Sequence, residues 1–358
     1  MSRFLSEKYA SLIPYTPGEQ PRDTQYVKLN TNESPFPPSP GVVAAAEREA
    51  RRLNLYSDPE CTLLKQAAAK LYDVEVQNVL PVNGSDEILY FAFLAFGDEQ
   101  NPFAFADISY GFYPVYAQFC KVPSREIPLT SDFSIDYRDY LGLREHVLIA
   151  NPNAPTGTCL PLWQIEQIVK SNPDRVVIID EAYIDFGGES CVPLTKRFDN
   201  LLVIQTFSKS RSLAGARLGF GIGCEALIRD LNTVKYSINP YNVNRMTQAA
   251  GVAAIEDDAY YRENARVIMT VREETTEQLR SLGFTVLPSS ANFVFAKSDR
   301  LSGEELYVSL KSRGVLVRHF TKARIKDFCR ISIGTREQMQ ILVSNIQEIL
   351  TQKGSNAI

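Results

Sequence analysis

Val176-Val177-Ile178-Ile179-Asp180 is the stretch that decides the fold. Four consecutive branched apolar residues, with no polar alternation, suit a strand covered on both faces, as in a parallel sheet packed between helices. The same texture repeats in both directions. Toward the N-terminus, strands are expected at 147–151, 124–127, 103–106 and 79–82, and toward the C-terminus at 201–205 and 218–222. Helical periodicity alternates with them at 85–96, 111–119 and 162–170, and two further helices at 41–53 and 61–72 come before the first strand. Alternation of this kind predicts an α/β unit, a mostly parallel seven-stranded sheet sandwiched by helices.

After Tyr241 the texture changes. Helices at 244–255 and 259–282 precede strands at 285–287, 293–296, 315–317 and 329–333, with helices at 304–311 and 336–351. That pattern predicts a smaller α+β domain. Residues 1–40 are expected to form an arm and part of this small domain, 41–245 the large domain and 246–358 the small one, with 259–282 as the long connecting helix.

Composition narrows the chemistry. A net charge of −4 supplies no basic footprint for nucleic acid or an anionic membrane, so any anionic ligand must be held by a few placed cations. The longest apolar run, 88–97, is about half the length of a membrane span. The first fifteen residues carry Arg3, Glu7 and Lys8 and no apolar signal region, so a cytoplasmic location is expected. Six scattered cysteines without a C-x-x-C pair and only two histidines, His146 and His319, give no metal pattern and no histidine triad. Catalysis, if present, falls to lysine, carboxylates and tyrosines.

In an open parallel sheet, ligands sit beyond the carboxyl ends of the strands, so the residues after each strand are the informative ones. Asp180-Glu181-Ala182-Tyr183 closes the deciding strand; Asp180 is either a turn or cap aspartate or the partner of the protonated ring nitrogen of pyridoxal phosphate. After 201–205 comes Thr206-Phe207-Ser208-Lys209-Ser210-Arg211-Ser212, then Ala214-Gly215-Ala216-Arg217. A lysine is ordinarily a solvated charge. Small neighbours here permit close approach of a bulky ligand, and Arg217 offers a fork for a phosphate. Asn83-Gly84-Ser85-Asp86-Glu87 opens a helix, either as an anion-binding N-terminus or as a simple cap. Tyr110, in Ser109-Tyr110-Gly111, is a stacking ring or plain core, and Asn151-Pro152-Asn153-Ala154-Pro155-Thr156-Gly157 by itself is a proline-rich turn.

Together these motifs resemble the fold-type I pyridoxal-phosphate aminotransferases. Thr206 to Gly215 is similar to the cofactor-lysine segment of their class II branch, and the order NGSDE, SYG, PTG, DEAY, SK, R is the family's order. More narrowly, Pro14-Tyr15-Thr16-Pro17-Gly18, Lys28 to Pro35, Tyr56-Ser57-Asp58-Pro59, Pro240 to Asn244 and Arg330 to Arg336 resemble the histidinol-phosphate aminotransferases over nearly the whole chain.

The resemblance implies roles. Lys209 would carry the cofactor as a Schiff base and shuttle a proton at the substrate Cα; Asp180 would pair with the ring nitrogen and Tyr183 with the phenolic oxygen, and Tyr110 would stack on the ring. Ser208, Arg217 and the backbone at Ser85 and Asp86 would hold the phosphate, reached from the other subunit of a homodimer by Tyr56. Arg318 and Arg330 would bind the substrate's anionic group, with Tyr15, Asn32 and Glu33 lining the substrate side. Without the resemblance, the two arginines read equally as an interface ion pair. One departure stands out. Relatives commonly have asparagine before Pro-Thr-Gly, bonding the phenolic oxygen; this chain has Ala154, and Asn153 is the nearest substitute.

The implied reaction is transamination between histidinol phosphate or imidazole-acetol phosphate and 2-oxoglutarate or glutamate. The same cofactor residues serve aromatic amino-acid aminotransferases and a threonine-phosphate decarboxylase, and a non-catalytic sensor is a third alternative.

Overall fold

A computed structural model of the chain describes residues 2–21 and 26–355. In chain order its elements begin with β1 (Val27–Lys28), α1 (Pro40–Ala50), α2 (Thr62–Tyr72), β2 (Val79–Val82), α3 (Ser85–Phe96), β3 (Phe103–Ala106) and α4 (Tyr113–Cys120). There follow β4 (Ser124–Ile127), β5 (His146–Ala150), α5 (Leu162–Ser171), β6 (Val177–Asp180), β7 (Leu201–Thr206), β8 (Gly219–Ile222) and α6 (Glu225–Ile238). The remainder is α7 (Arg245–Glu256), α8 (Asp258–Ser281), β9 (Phe284–Val286), β10 (Phe293–Ser298), α9 (Gly303–Ser312), β11 (Val315–Leu316), β12 (Arg318–His319), β13 (Phe328–Ser332) and α10 (Arg336–Ser355).

The large sheet has seven strands in the order β2-β8-β7-β6-β5-β3-β4. The deciding run lies at its centre with both faces covered. Val177 and Ile179 pack with α2, α5 and α7, whereas Ile178 packs with α3, α4 and α6. The expected α/β architecture is therefore the one found. Strand direction adds something the texture does not carry: β8 runs antiparallel to both β2 and β7, and the remaining pairs are parallel.

The small domain holds a four-stranded antiparallel sheet, β12-β13-β10-β9. The expected strand 315–317 is β11 alone, which pairs with β1 of the N-terminal arm, and a separate strand β12 just after it pairs with β13. Helix α6 has no counterpart among the sequence-based expectations. Helix α7, placed with the small domain by its position, instead packs on α1 and α2 of the large one. The two cores meet inside α8, where Tyr261 belongs to the large core and Ala265 to the small one. Among the described residues no helix is long and apolar enough to cross a membrane.

Candidate active site

The carboxyl ends of the parallel strands open into a pocket where β5, β6 and β7 deliver Pro152, Asp180 and Lys209. The antiparallel β8 enters from the same edge. Its first residue, Gly219, lies opposite both Val82 and Thr206, so the arginine just before it, Arg217, arrives beside α3. Close approach demands small residues: a Cβ on Gly219 would lie 2.6 Å from the Ser85 nitrogen. Gly84, at φ +77°, could carry a side chain only 2.6 Å from an Arg217 nitrogen.

This corner suits an anion. Helix α3 begins at Ser85 with no side-chain cap, so its first N–H groups stay available and the simple-cap alternative fails. The Ser208 and Thr206 hydroxyls flank it, bonded to one another at 3.0 Å. Arg217 pairs with the Asp86 carboxylate at 2.8 Å while about half its side chain remains exposed. The other Asp86 oxygen accepts the Tyr110 hydroxyl at 2.7 Å, which stands that ring along the pocket wall.

Asp180 lies deeper, only 4% exposed. It accepts the Tyr113 hydroxyl at 2.8 Å and the Ala182 N–H at 3.2 Å. Burial nevertheless pushes its carboxyl up to about 6, and that of neighbouring Glu181 to about 7. The Lys209 amine donates to the Thr31 carbonyl at 3.2 Å and lies 5.7 Å from the centre of the Tyr183 ring. The Tyr183 hydroxyl accepts from the Asn32 amide at 2.9 Å. Asn32 is itself fixed at φ +56° by Ser332 and Asn292 of the small domain. An uncapped helix end with an arginine, a buried carboxylate and a recessed amine around one flat slot fit pyridoxal phosphate, whose phosphate, ring nitrogen and aldehyde need those three groups.

The pocket continues outward into a cleft lined by Tyr15, Asn32, Arg318 and Arg330. The two arginines are cross-strand partners on β12 and β13, an arrangement of like charges that costs stability unless an anion lies between them. Arg330 is held between the Phe293 and Phe320 rings and donates to the Asn30 carbonyl at 2.9 Å. Its buried Nε has no partner among the described residues. Arg318 reaches the Thr16 and Pro17 carbonyls of the arm, and Tyr15 of that arm stacks on Phe112 at 4.2 Å.

Three expected residues lie elsewhere. Asn153 does not reach the pocket: fully buried, it spends both amide hydrogens on the Ile108 carbonyl and the Thr156 hydroxyl, and its oxygen accepts from Ser109. The residues lining the pocket from that loop are Pro152 and Ala154, so Asn153 does not take the place of the missing asparagine. Glu33 is turned aside by Lys28 at 2.6 Å and Thr31 at 2.7 Å. Tyr56 lies outside the pocket and is 79% exposed, its ring stacked on Tyr241. Conversely, Tyr113 and Thr206 belong to the site. Thr206 sits in the quoted lysine stretch, but nothing about Tyr113 marks it out locally beyond its place three residues after Tyr110.

The weakened acidity of Asp180 has a stability consequence. An aspartate neutral up to about pH 6 when folded, but only to about 3.8 when unfolded, makes the folded chain bind the extra proton between those values. Stability is thus unaffected below the unfolded value, falls as pH rises through the window, and carries the full cost above it, about 3 kcal/mol per chain. Cofactor-free Asp180→Asn protein should melt higher than wild type at pH 8, with the advantage shrinking at pH 4. Equal differences at both pH values in calorimetry would contradict this.

Comparison with known proteins bears on the same residues. The family model for class I and II aminotransferases matches residues 24–346. The chain is 49% identical over 352 residues to a histidinol-phosphate aminotransferase of Brachyspira hyodysenteriae, covering 98% of this chain and 99% of that one. It is 50% identical over 350 residues to histidinol-phosphate aminotransferase 1 of Bradyrhizobium diazoefficiens, covering 98% and 100%. Among solved structures, a histidinol-phosphate aminotransferase of Sinorhizobium meliloti in complex with pyridoxal-5'-phosphate superposes with a TM-score of 0.88 at 23% identity, covering 98% and 99%.

Proposed function

The chain belongs to the class I and II aminotransferases, and from that premise we propose that it uses pyridoxal phosphate to exchange an amino group between L-histidinol phosphate and 2-oxoglutarate. The products are imidazole-acetol phosphate and L-glutamate, the exchange is reversible, and it belongs to histidine biosynthesis. The two relatives named above, each near half-identical over their full lengths, carry the substrate assignment. The arginine pair at the outer end of the cleft is the structural feature that supports it.

Pyridoxal phosphate, when bound, supplies an electron sink for the bonds at the substrate Cα. The chain's own groups do the rest. Ser85, Asp86, Ser208 and Arg217 receive the cofactor phosphate, and Asp180 keeps a proton at the ring nitrogen. Lys209 would anchor the cofactor and would move the proton at the substrate Cα. Tyr183, oriented by Asn32, faces the phenolic oxygen. Tyr110 supports the ring face.

Both substrates carry an anion on a carbon bonded to the amine-bearing carbon, a phosphate ester in histidinol phosphate and the α-carboxylate in glutamate. A guanidinium fork binds either geometry. Arg318 and Arg330, forced together by strand pairing, are matched by one such anion at a time, as a two-stage exchange requires. Tyr15 closes the cleft from the arm side. The active form is a homodimer in the cytoplasm. Tyr56 supports the dimer, since it is an exposed aromatic on a loop whose carbonyls are held by Arg245, Gln248 and Lys235. A residue fixed so firmly, yet facing outward, is consistent with a role at the phosphate site of a second copy.

A half-reaction panel tests the proposal. Holoenzyme mixed separately with histidinol phosphate, glutamate, phenylalanine, tyrosine or threonine phosphate is followed by its visible spectrum. Conversion by histidinol phosphate and by glutamate is expected. Conversion by phenylalanine and tyrosine, with histidinol phosphate inert, would reassign the enzyme to aromatic amino acids. Release of carbon dioxide from threonine phosphate would make it a decarboxylase.

A further inference from the structure

The Tyr113 hydroxyl has one hydrogen to donate, and it goes to Asp180 Oδ2 at 2.8 Å. Both residues are buried, at 0% and 4% exposure. Tyr113 opens α4, with its ring held edge-on by Phe105 at 5.8 Å and Tyr110 at 5.6 Å, so its hydroxyl has little freedom to turn away. The second carboxylate oxygen is tied to the Ala182 N–H. Asp180 is therefore gripped from two sides within the protein, and its remaining lone pairs face the pocket.

We propose that Tyr113 is a positioning residue that sets how Asp180 shares a proton with the cofactor's ring nitrogen, an inference that rests on the pyridoxal-phosphate reading above. A hydroxyl donating to a carboxylate stabilises its ionised form. With Asp180 ionised, the shared proton stays on the ring nitrogen and the ring withdraws electrons strongly. Without that donor, the carboxylate becomes the better base. The proton then passes from the ring nitrogen to a carboxylate oxygen, and no other bond changes.

The other charges around Asp180 do not replace the tyrosine. Asp86, on α3, pushes the carboxyl in the opposite direction, toward its neutral form, and Lys209, after β7, favours ionisation. Tyr110 and Tyr183 are further titratable groups beside the Tyr113 hydroxyl. The Tyr113 phenol is itself held well above its ordinary value, first by burial and then by the Asp180 charge, so it stays a donor across the working pH range.

The test reconstitutes wild type, Tyr113→Phe, Asp180→Asn and the double variant with pyridoxal phosphate labelled with nitrogen-15 in the ring. The ring-nitrogen resonance and the rate of the glutamate half-reaction are then measured. Tyr113→Phe removes one oxygen and keeps the packed ring. Its resonance should move from the protonated toward the unprotonated range, with the rate falling about tenfold. Asp180→Asn should move it further, and adding Tyr113→Phe to that variant should change little, because no carboxylate remains to be tuned. An unmoved resonance in Tyr113→Phe beside a shifted one in Asp180→Asn overturns the role of Tyr113 alone. If Asp180→Asn also leaves the resonance in place, the Asp180 assignment itself falls.

Discussion

Lys209→Ala should lose turnover by more than about 10^4-fold and lose the visible absorption band of the bound cofactor. The size of the effect follows from two jobs on one amine, covalent anchoring of the cofactor and movement of the Cα proton. Nothing else in the pocket can take over either job. Arg217 is a guanidinium paired with Asp86, and the remaining lining groups are hydroxyls, carboxylates, aromatic rings and small apolar side chains. The fold should tolerate the change, since the amine makes one hydrogen bond, to the Thr31 carbonyl. The phosphate corner is untouched, so the variant should still bind the cofactor, now reversibly and removable by dialysis. Turnover within a few-fold of wild type would remove the basis for calling this pocket the active site.

The next largest effect is expected for Arg330→Ala. Arg330 is buried between two rings, and its Nε has no partner among the described residues, so the side chain is shaped to be completed by an anion. Charge-assisted hydrogen bonds contribute roughly 1.5–3 kcal/mol each, and losing a fork of them should lower kcat/KM by about 10^2- to 10^3-fold. Because phosphate and carboxylate use the same fork, histidinol phosphate and glutamate should suffer together. Arg330→Lys should restore little, since an ammonium keeps the charge but not the planar pair of donors. The cofactor spectrum should remain that of wild type, which separates loss of substrate binding from loss of fold. A variant impaired with one substrate and normal with the other would show that the two anions bind at different places; one impaired with neither would make Arg330 a structural residue.

Much of this site is legible in the amino-acid order, for a local reason. A strand covered on both faces must be apolar throughout, so its end is conspicuous wherever a polar residue breaks the run, as Asp180 does after Ile179. Lys209 is conspicuous for the same reason after β7. The buried positions of α6, Leu227, Ile228, Leu231 and Lys235, follow a helical spacing as well. That helix is harder to find because one of its inward positions is a lysine, whose amine is satisfied by the Pro59 carbonyl far away in sequence.

Asn153 shows the opposite limit. As a residue type next to Ala154 it is a reasonable substitute ligand, yet its three hydrogen bonds are all taken within the 108–156 region. Whether a buried amide is free or spent depends on its neighbours in space. Tyr113 is the same case reversed: an ordinary helix-opening aromatic by sequence, it becomes a site residue only because α4 carries it against β6.

By itself, the sequence determined the alternation of strands and helices and the polar residues that end β6 and β7, because burial on two faces and turn chemistry act over a few neighbouring residues. The tertiary structure decided the direction of β8, and with it the meeting of Arg217, which precedes a strand, with groups that follow strands. It also decided the pairing of Arg318 with Arg330, the inward turn of Asn153 and the grip of Tyr113 on Asp180. Strand direction and hydrogen-bond satisfaction are set by partners distant in the chain, and no local pattern records which partner will arrive.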